Sequence, residues 1–203
     1  MDAHSRSPLA SAAGVKLQAA HLTSPKPGER ANGDAVLVRH DGELRAILAV
    51  IDGLGHGPDA AQASSAAVEA LNRLEIGTPV SDAMSAVHAA LRGSRGAAGT
   101  VCVIDGLRME MCAVGNVQLL SVNFSVPLVL SAGILGHQVA KFRVSGCELR
   151  PGSRLALLSD GISVKFRLEE FRHLAPAEVC DLILSKHRRK EDDATVLIAD
   201  VRR

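Results

Sequence analysis

A chain of 203 residues with a formal net charge of +1 has no overall field to draw in a polyanion. With no Trp, no Tyr and only 4 Phe it also lacks the stacking platforms that single-stranded nucleic acid needs, so a nucleic-acid partner is not expected. The 47% hydrophobic share must come from Val, Leu, Ile and Ala, which is enough for one aliphatic core in a single domain.

In chain order, "MDAHSRSPLASAAG" lacks the basic-then-apolar pattern of a secretory signal and reads as a disordered lead over residues 1–14. Residues 15–203 then form the domain, and a cytoplasmic protein is expected. "GDAVLVRHDGELRAILAVID" (33–52) is two apolar runs joined by Asp41-Gly42, which predicts a β-hairpin. An Ala-rich helical pattern runs from Pro58 to Leu74, and a second from Ser81 to Leu91 with Ser81 as N-cap. "TVCVIDGLRMEMCAVGN" repeats the hairpin design with Asp105-Gly106 at its turn.

From Met111 to Ala140 there is no Asp, Glu, Lys or Arg, which superficially suggests a membrane span. Asn116, Gln118, Asn123 and Pro127 interrupt it, so short buried strands and turns are expected and no membrane partner. Strands continue to Leu158, Pro176 to Lys186 reads as a late helix, and "ATVLIADV" closes the chain as a strand. Hairpins, a helix pair, more strands, a helix and a last strand are not an alternating βαβ order. They predict an α+β fold of antiparallel sheets with helices packed outside, the strand order remaining open. Cys102, Cys112, Cys147 and Cys180 form no C-x-x-C pair, sit in or beside apolar runs, and read as buried free thiols.

Four aspartates fall where strands end: Asp34 in "NGDAV", Asp52 in "VIDGLGHG", Asp160 in "RLALLSDGI" and Asp192 in "KEDDATVLIAD". Each alone is an ordinary turn residue. Brought together at the rim of a sheet sandwich, they would repel one another and could not all ionise near neutral pH without compensation. Hard divalent cations such as Mg²⁺ or Mn²⁺ supply it through all-oxygen ligation. Gly53, without a side chain, would let its own carbonyl approach such an ion.

"NGDAV", "VIDGLGHG", "AAGTVCV", "AVGNV", "LLSDGI" and "EDDATVLI" resemble, in sequence and order, the motifs of the metal-dependent PPM (type 2C) protein serine/threonine phosphatases. The D-G-x-G-H-G form is similar to the SpoIIE-like branch. The chain length and "TSPKPGERANGD" narrow the likeness to the small stand-alone stressosome phosphatases of RsbX type.

The resemblance implies two packed antiparallel sheets flanked by helices, with two Mn²⁺ or Mg²⁺ between them. It implies that Asp34, Asp52, Asp160 and Asp192 ligate metal with the Gly53 carbonyl, and that Asp193 hydrogen-bonds from behind. Two such ions share a water, lower its pKa and aim hydroxide at phosphorus in direct hydrolysis. The implied substrates are phosphoserine and phosphothreonine on STAS-domain proteins of a stressosome or sigma-factor module, and the protein is expected to act as a monomer.

The chain departs from the D-G-H-G of many relatives, placing Leu54 where their proposed proton donor stands. His56 either takes over that role or caps the local turn. No arginine matches the phosphate-binding arginine of eukaryotic relatives; Lys26 is the substitute, or else a solvated loop lysine. In "KHRRKEDD", Arg188 and Arg189 either attract a phosphorylated protein or complement a helix C-terminus.

Two other readings stay open. "GHGPDA" fits G-x-G-x-x-A between a strand and a helix, as a dinucleotide-binding turn would. The scaffold could also be a binding module without activity, although a pure binder has no need of a self-repelling acidic cluster.

Overall fold

The computed structural model describes residues 14–41, 44–127 and 129–203. Residues 1–13 and Gly42, half of the Asp41-Gly42 turn, lie outside them. Along the chain come β1 (Lys16–Ser24), β2 (Asp34–His40), β3 (Arg45–Gly53), α1 (Pro58–Asn72) and α2 (Val80–Ala90). β4 (Ala97–Asp105), β5 (Arg108–Val114), β6 (Gln118–Val122), β7 (Gly133–Ile134), β8 (Gln138–Val139), β9 (Val144–Glu148) and β10 (Arg154–Leu158) follow. A 3₁₀ turn at Leu168–Phe171, α3 (Pro176–His187) and β11 (Ala194–Arg202) complete it.

The strands form two main antiparallel sheets, β1-β11-β10-β6 and β2-β3-β4-β5-β9, with β7 and β8 as a separate small hairpin. The expected α+β sandwich is therefore present. Its layers explain why β3 and β11 read as continuous apolar runs: each is covered on both faces, so both side-chain sets must be apolar. Ala46, Leu48 and Val50 of β3 meet Leu157, Leu197 and Ala199 between the sheets. Ile47, Ala49 and Ile51 turn outward to Ala63, Leu71, Met84 and Val87 of α1 and α2. On the far side Val196 and Ile198 pack with Val179, Cys180 and Ile183 of α3. Burying one such Leu or Ile contributes about 2 kcal/mol, and no aromatic residue is needed at the centre.

Local departures from expectation have local causes. Asp105 pairs with Arg108, so the turn proper is Gly106-Leu107, with Gly106 at φ 60 in its first position. α2 starts at Val80 behind Pro79, whose φ of −52° and ψ of 139° make an extended entry, and Ser81 lies inside the first turn. Its hydroxyl faces Asp82 Oδ1 at 3.3 Å instead of capping the helix. The uncharged stretch from Met111 folds as short strands, and among the described residues no helix is long and apolar enough to cross a membrane.

Candidate metal centre

The β2–β3 register places Asp34 directly opposite Asp52 at the open end of the second sheet. In the first sheet β10 ends at Leu158, so Ser159 and Asp160 emerge at the end where Asp192 and Asp193 lead into β11. These two connections are pressed together: Ser159 donates its N–H to Thr195 O at 3.1 Å, and Thr195 N–H donates to Ser159 Oγ at 2.9 Å. A Cβ at Gly161 would lie 1.8 Å from the Asp193 carbonyl oxygen, so only glycine allows this approach. The side chains of Ser159 and Thr195 in turn reach Asp34, joining the ends of both sheets.

The electrostatics record that convergence. Burial pushes the Asp34 carboxyl up to about 6 against the pull of Ser159 and Thr195, with the negative charges of Asp193 and Asp160 adding to the rise. Burial raises Asp52 to about 8, reinforced by Asp34, Asp160, Asp192 and Asp193 in that order. Burial and then Asp192 raise Asp160 as well, opposed by Arg189, Asn116 and the Gly161 backbone. Asp34, only 6% exposed, keeps Oδ2 buried without a hydrogen-bond partner.

Clustered carboxylates that raise one another's pKa, an orphaned buried acceptor and an all-oxygen donor set fit hard divalent cations. Among the described residues no three Asp, Glu, His or Cys side chains close into a finished cage, so the site is an open cluster. The Gly53 backbone sits at its edge, where the first turn of α1 crosses closely. A Cβ there would stand 2.3 Å from the Ala60 carbonyl oxygen.

Asp193, 3% exposed, spends both carboxylate oxygens on the backbone beside the cluster. Its Oδ1 accepts the Lys26 N–H at 2.8 Å and its Oδ2 accepts the Gly33 N–H at 3.0 Å, fastening the segment before β2 to the head of β11. Asp34 is thereby positioned by a residue more than a hundred and fifty positions away in sequence.

The other candidates are distributed around the rim. His56 holds Glu29 through Nδ1···Oε1 at 2.8 Å. Lys26 is half-buried and enters the site through its backbone bond to Asp193. Arg188 donates to the Pro25 carbonyl, a brace for the same segment, while its Nε is buried without a partner. Arg189 is exposed and its charge acts on Asp160.

Four contributors were not expected from the sequence: Glu29, Asn116, Ser159 and Thr195. Asn116 donates to Asp160 Oδ2 at 2.5 Å. All four lie inside motifs singled out for other residues or for the family likeness ("TSPKPGERANGD", "AVGNV", "LLSDGI", "EDDATVLI"), and those motifs were their only signal.

The dinucleotide reading is overturned. After β3, two helices lead into β4, which pairs with β3 antiparallel, whereas a dinucleotide-binding turn requires a parallel partner.

Residues 42–202 match the family model described as stage II sporulation protein E (SpoIIE). That match begins after Asp34, whose place in the cluster rests on the structure. A bacterial stressosome protein, from a modular system adapted to control secondary messenger signalling, superposes with a TM-score of 0.82 and 29% identity over 91% of this chain and 99% of that one. RsbX in complex with magnesium superposes with a TM-score of 0.80 and 23% identity over 92% and 96%. The catalytic domain of the serine/threonine protein phosphatase PstP, with two manganese ions, gives 0.70 and 21% over 93% and 100%. A comparison with curated protein sequences found no match.

Proposed function

The chain belongs to the SpoIIE family, and from that premise we propose that it removes phosphate from phosphoserine and phosphothreonine of STAS-domain signalling proteins, resetting a stress-response module. It is a metal-dependent serine/threonine phosphatase of PPM type, similar to RsbX. The observation that carries the reading is the meeting of Asp34, Asp52, Asp160 and Asp192 from the ends of two sheets. The stressosome neighbour at 29% identity supports a setting in a signalling module of this kind.

Asp34, Asp52, Asp160, Asp192 and the Gly53 carbonyl would hold two Mn²⁺ or Mg²⁺. Bound there, the ions would supply compensating charge and would activate water for direct attack on phosphorus. The chain's own residues do the rest. Asp193 keeps the Asp34 segment seated, and Asn116 orients Asp160. His56, steadied by Glu29, gives a proton to the departing serine oxygen. Lys26 and Arg189 meet the phosphoryl group and the phosphoprotein at the rim, and Arg188 holds the Pro25 turn beneath them.

A thiol nucleophile has no place in this scheme. Burial raises all four cysteines above their ordinary pKa, Cys180 to about 12, so thiolate is scarce at neutral pH.

The test is phosphate release from a phosphorylated STAS-domain protein and from p-nitrophenyl phosphate with Mn²⁺. Activity that disappears on chelation and in Asp52→Asn supports the proposal. A folded, manganese-binding protein that turns over neither substrate would make this a binding module instead.

A further inference from the structure

At the other end of the first sheet, roughly one strand length (~17 Å) from the acidic cluster, charge of the opposite sign gathers. The start of β10, the end of β11 and the end of β6 frame a cavity of about 390 Å³ whose lining includes Arg154, Arg172, His173, Asp200 and Arg202. Three arginines and one carboxylate thus share the lining. A cavity of this volume falls in the range of small-ligand sites, ~300–1,000 Å³.

The cavity floor is fixed. Arg154 and Asp200 are each 3% exposed and form a forked pair, Nε to Oδ1 at 2.6 Å and Nη2 to Oδ2 at 2.7 Å. Arg154 also donates to the carbonyls of Phe171 at 2.6 Å and Leu174 at 2.7 Å. Those two carbonyls bracket Arg172 and His173, so the buried arginine fixes the backbone segment that brings both residues into the cavity lining. Arg202 completes the ring by reaching the same Asp200 Oδ2 at 2.6 Å. Asp200 is therefore shared between two guanidiniums, and among the described residues no other acidic side chain lines the cavity to balance Arg172.

We infer that this cavity is a second, anion-binding site for a small phosphate monoester. Arg172 and Arg202 would take the phosphate, and the floor of Arg154 and Asp200 would hold the mouth open. A planar guanidinium fork matches phosphate oxygens in geometry and charge, and arginine remains cationic at any accessible pH. The cavity shares no residue with the carboxylate cluster, so the inference stands apart from the phosphatase reading.

Calorimetric titration of adenosine monophosphate, and separately inorganic phosphate, into metal-free protein tests it. Metal removal silences turnover and leaves the acidic end repelling anions. One equivalent of the monoester should bind, more tightly than inorganic phosphate. Arg172→Ala, a substitution of an exposed side chain, should weaken binding about tenfold or more, the loss expected for one charge-assisted pair. Its melting temperature should be unchanged, and Asp52→Asn should bind as wild type does. No heat up to ~10 mM ligand, or binding insensitive to Arg172→Ala but altered by Asp52→Asn, would overturn the site.

Discussion

Asp34 and Asp52 stand opposite one another as partners in the β2–β3 ladder, and their carboxyl groups are raised to about 6 and about 8 from an ordinary 3.8. Between the unfolded and folded values the folded protein holds more protons, so its stability falls as pH rises. The loss begins near pH 4, where the unfolded groups ionise, and is complete above about 8. The melting temperature of metal-free protein should therefore drop between about pH 5 and pH 8. Mn²⁺ should raise it more at pH 8, because ligation requires the ionised carboxylates. A flat profile without metal would contradict the burial and crowding of these carboxyl groups.

His56 is paired with Glu29 at 2.8 Å, an arrangement that orients an imidazole for proton transfer. A general acid contributes roughly 10²–10⁴-fold, but only when the leaving group needs a proton. His56→Ala should slow hydrolysis of a phosphoserine peptide about 100-fold while leaving p-nitrophenyl phosphate nearly unaffected. Equal losses on both substrates would show that His56 arranges the loop and does not donate the proton.

Arg188 and Arg189 are adjacent in sequence but separate in role. Arg189→Ala should lower kcat/KM for a phosphoprotein at low salt, with the difference fading as salt screens it, and leave the melting temperature unchanged. Arg188→Ala strips the Pro25 carbonyl of its donor and should cost about 1–3 kcal/mol in stability. If phosphoprotein turnover at low salt is unchanged in Arg189→Ala, the basic rim does not steer substrate.

Asp193 accepts two backbone N–H groups while nearly fully buried. Asp193→Ala orphans both donors and should destabilise the protein by about 3 kcal/mol in urea unfolding. Because the Lys26–Gly33 segment leads into Asp34, the same variant should weaken Mn²⁺ binding. Loss of stability with metal affinity intact would separate Asp193 from the site.

The elements legible in the sequence were those whose burial leaves a mark on composition. β3, β4 and β11 are covered on both faces and therefore appear as unbroken apolar runs. The aspartates were legible because each borders an apolar run, Asp52 and Asp160 at its end and Asp34 and Asp192 just ahead of it. β1 left no such mark: it is an edge strand whose polar Lys16, Gln18 and His21 are exposed, so its pattern is that of a loop. The site's supporting contacts were illegible for another reason. Lys26 meets Asp193 across 167 positions and Arg188 meets Pro25 across 163, and only the folded sheets bring them together. Nothing local in "KHRRKEDD" distinguishes the arginine that braces from the one beside Asp160.

The central claim is that the clustered carboxylates are a seat for divalent cations. Crystals grown with Mn²⁺ and measured at the manganese absorption edge test it most directly. Two anomalous peaks among Asp34, Asp52, Asp160 and Asp192, lost in Asp52→Asn, are the predicted result. Anomalous density lying elsewhere on the protein, with those four carboxylates in contact with none of it, would contradict the account.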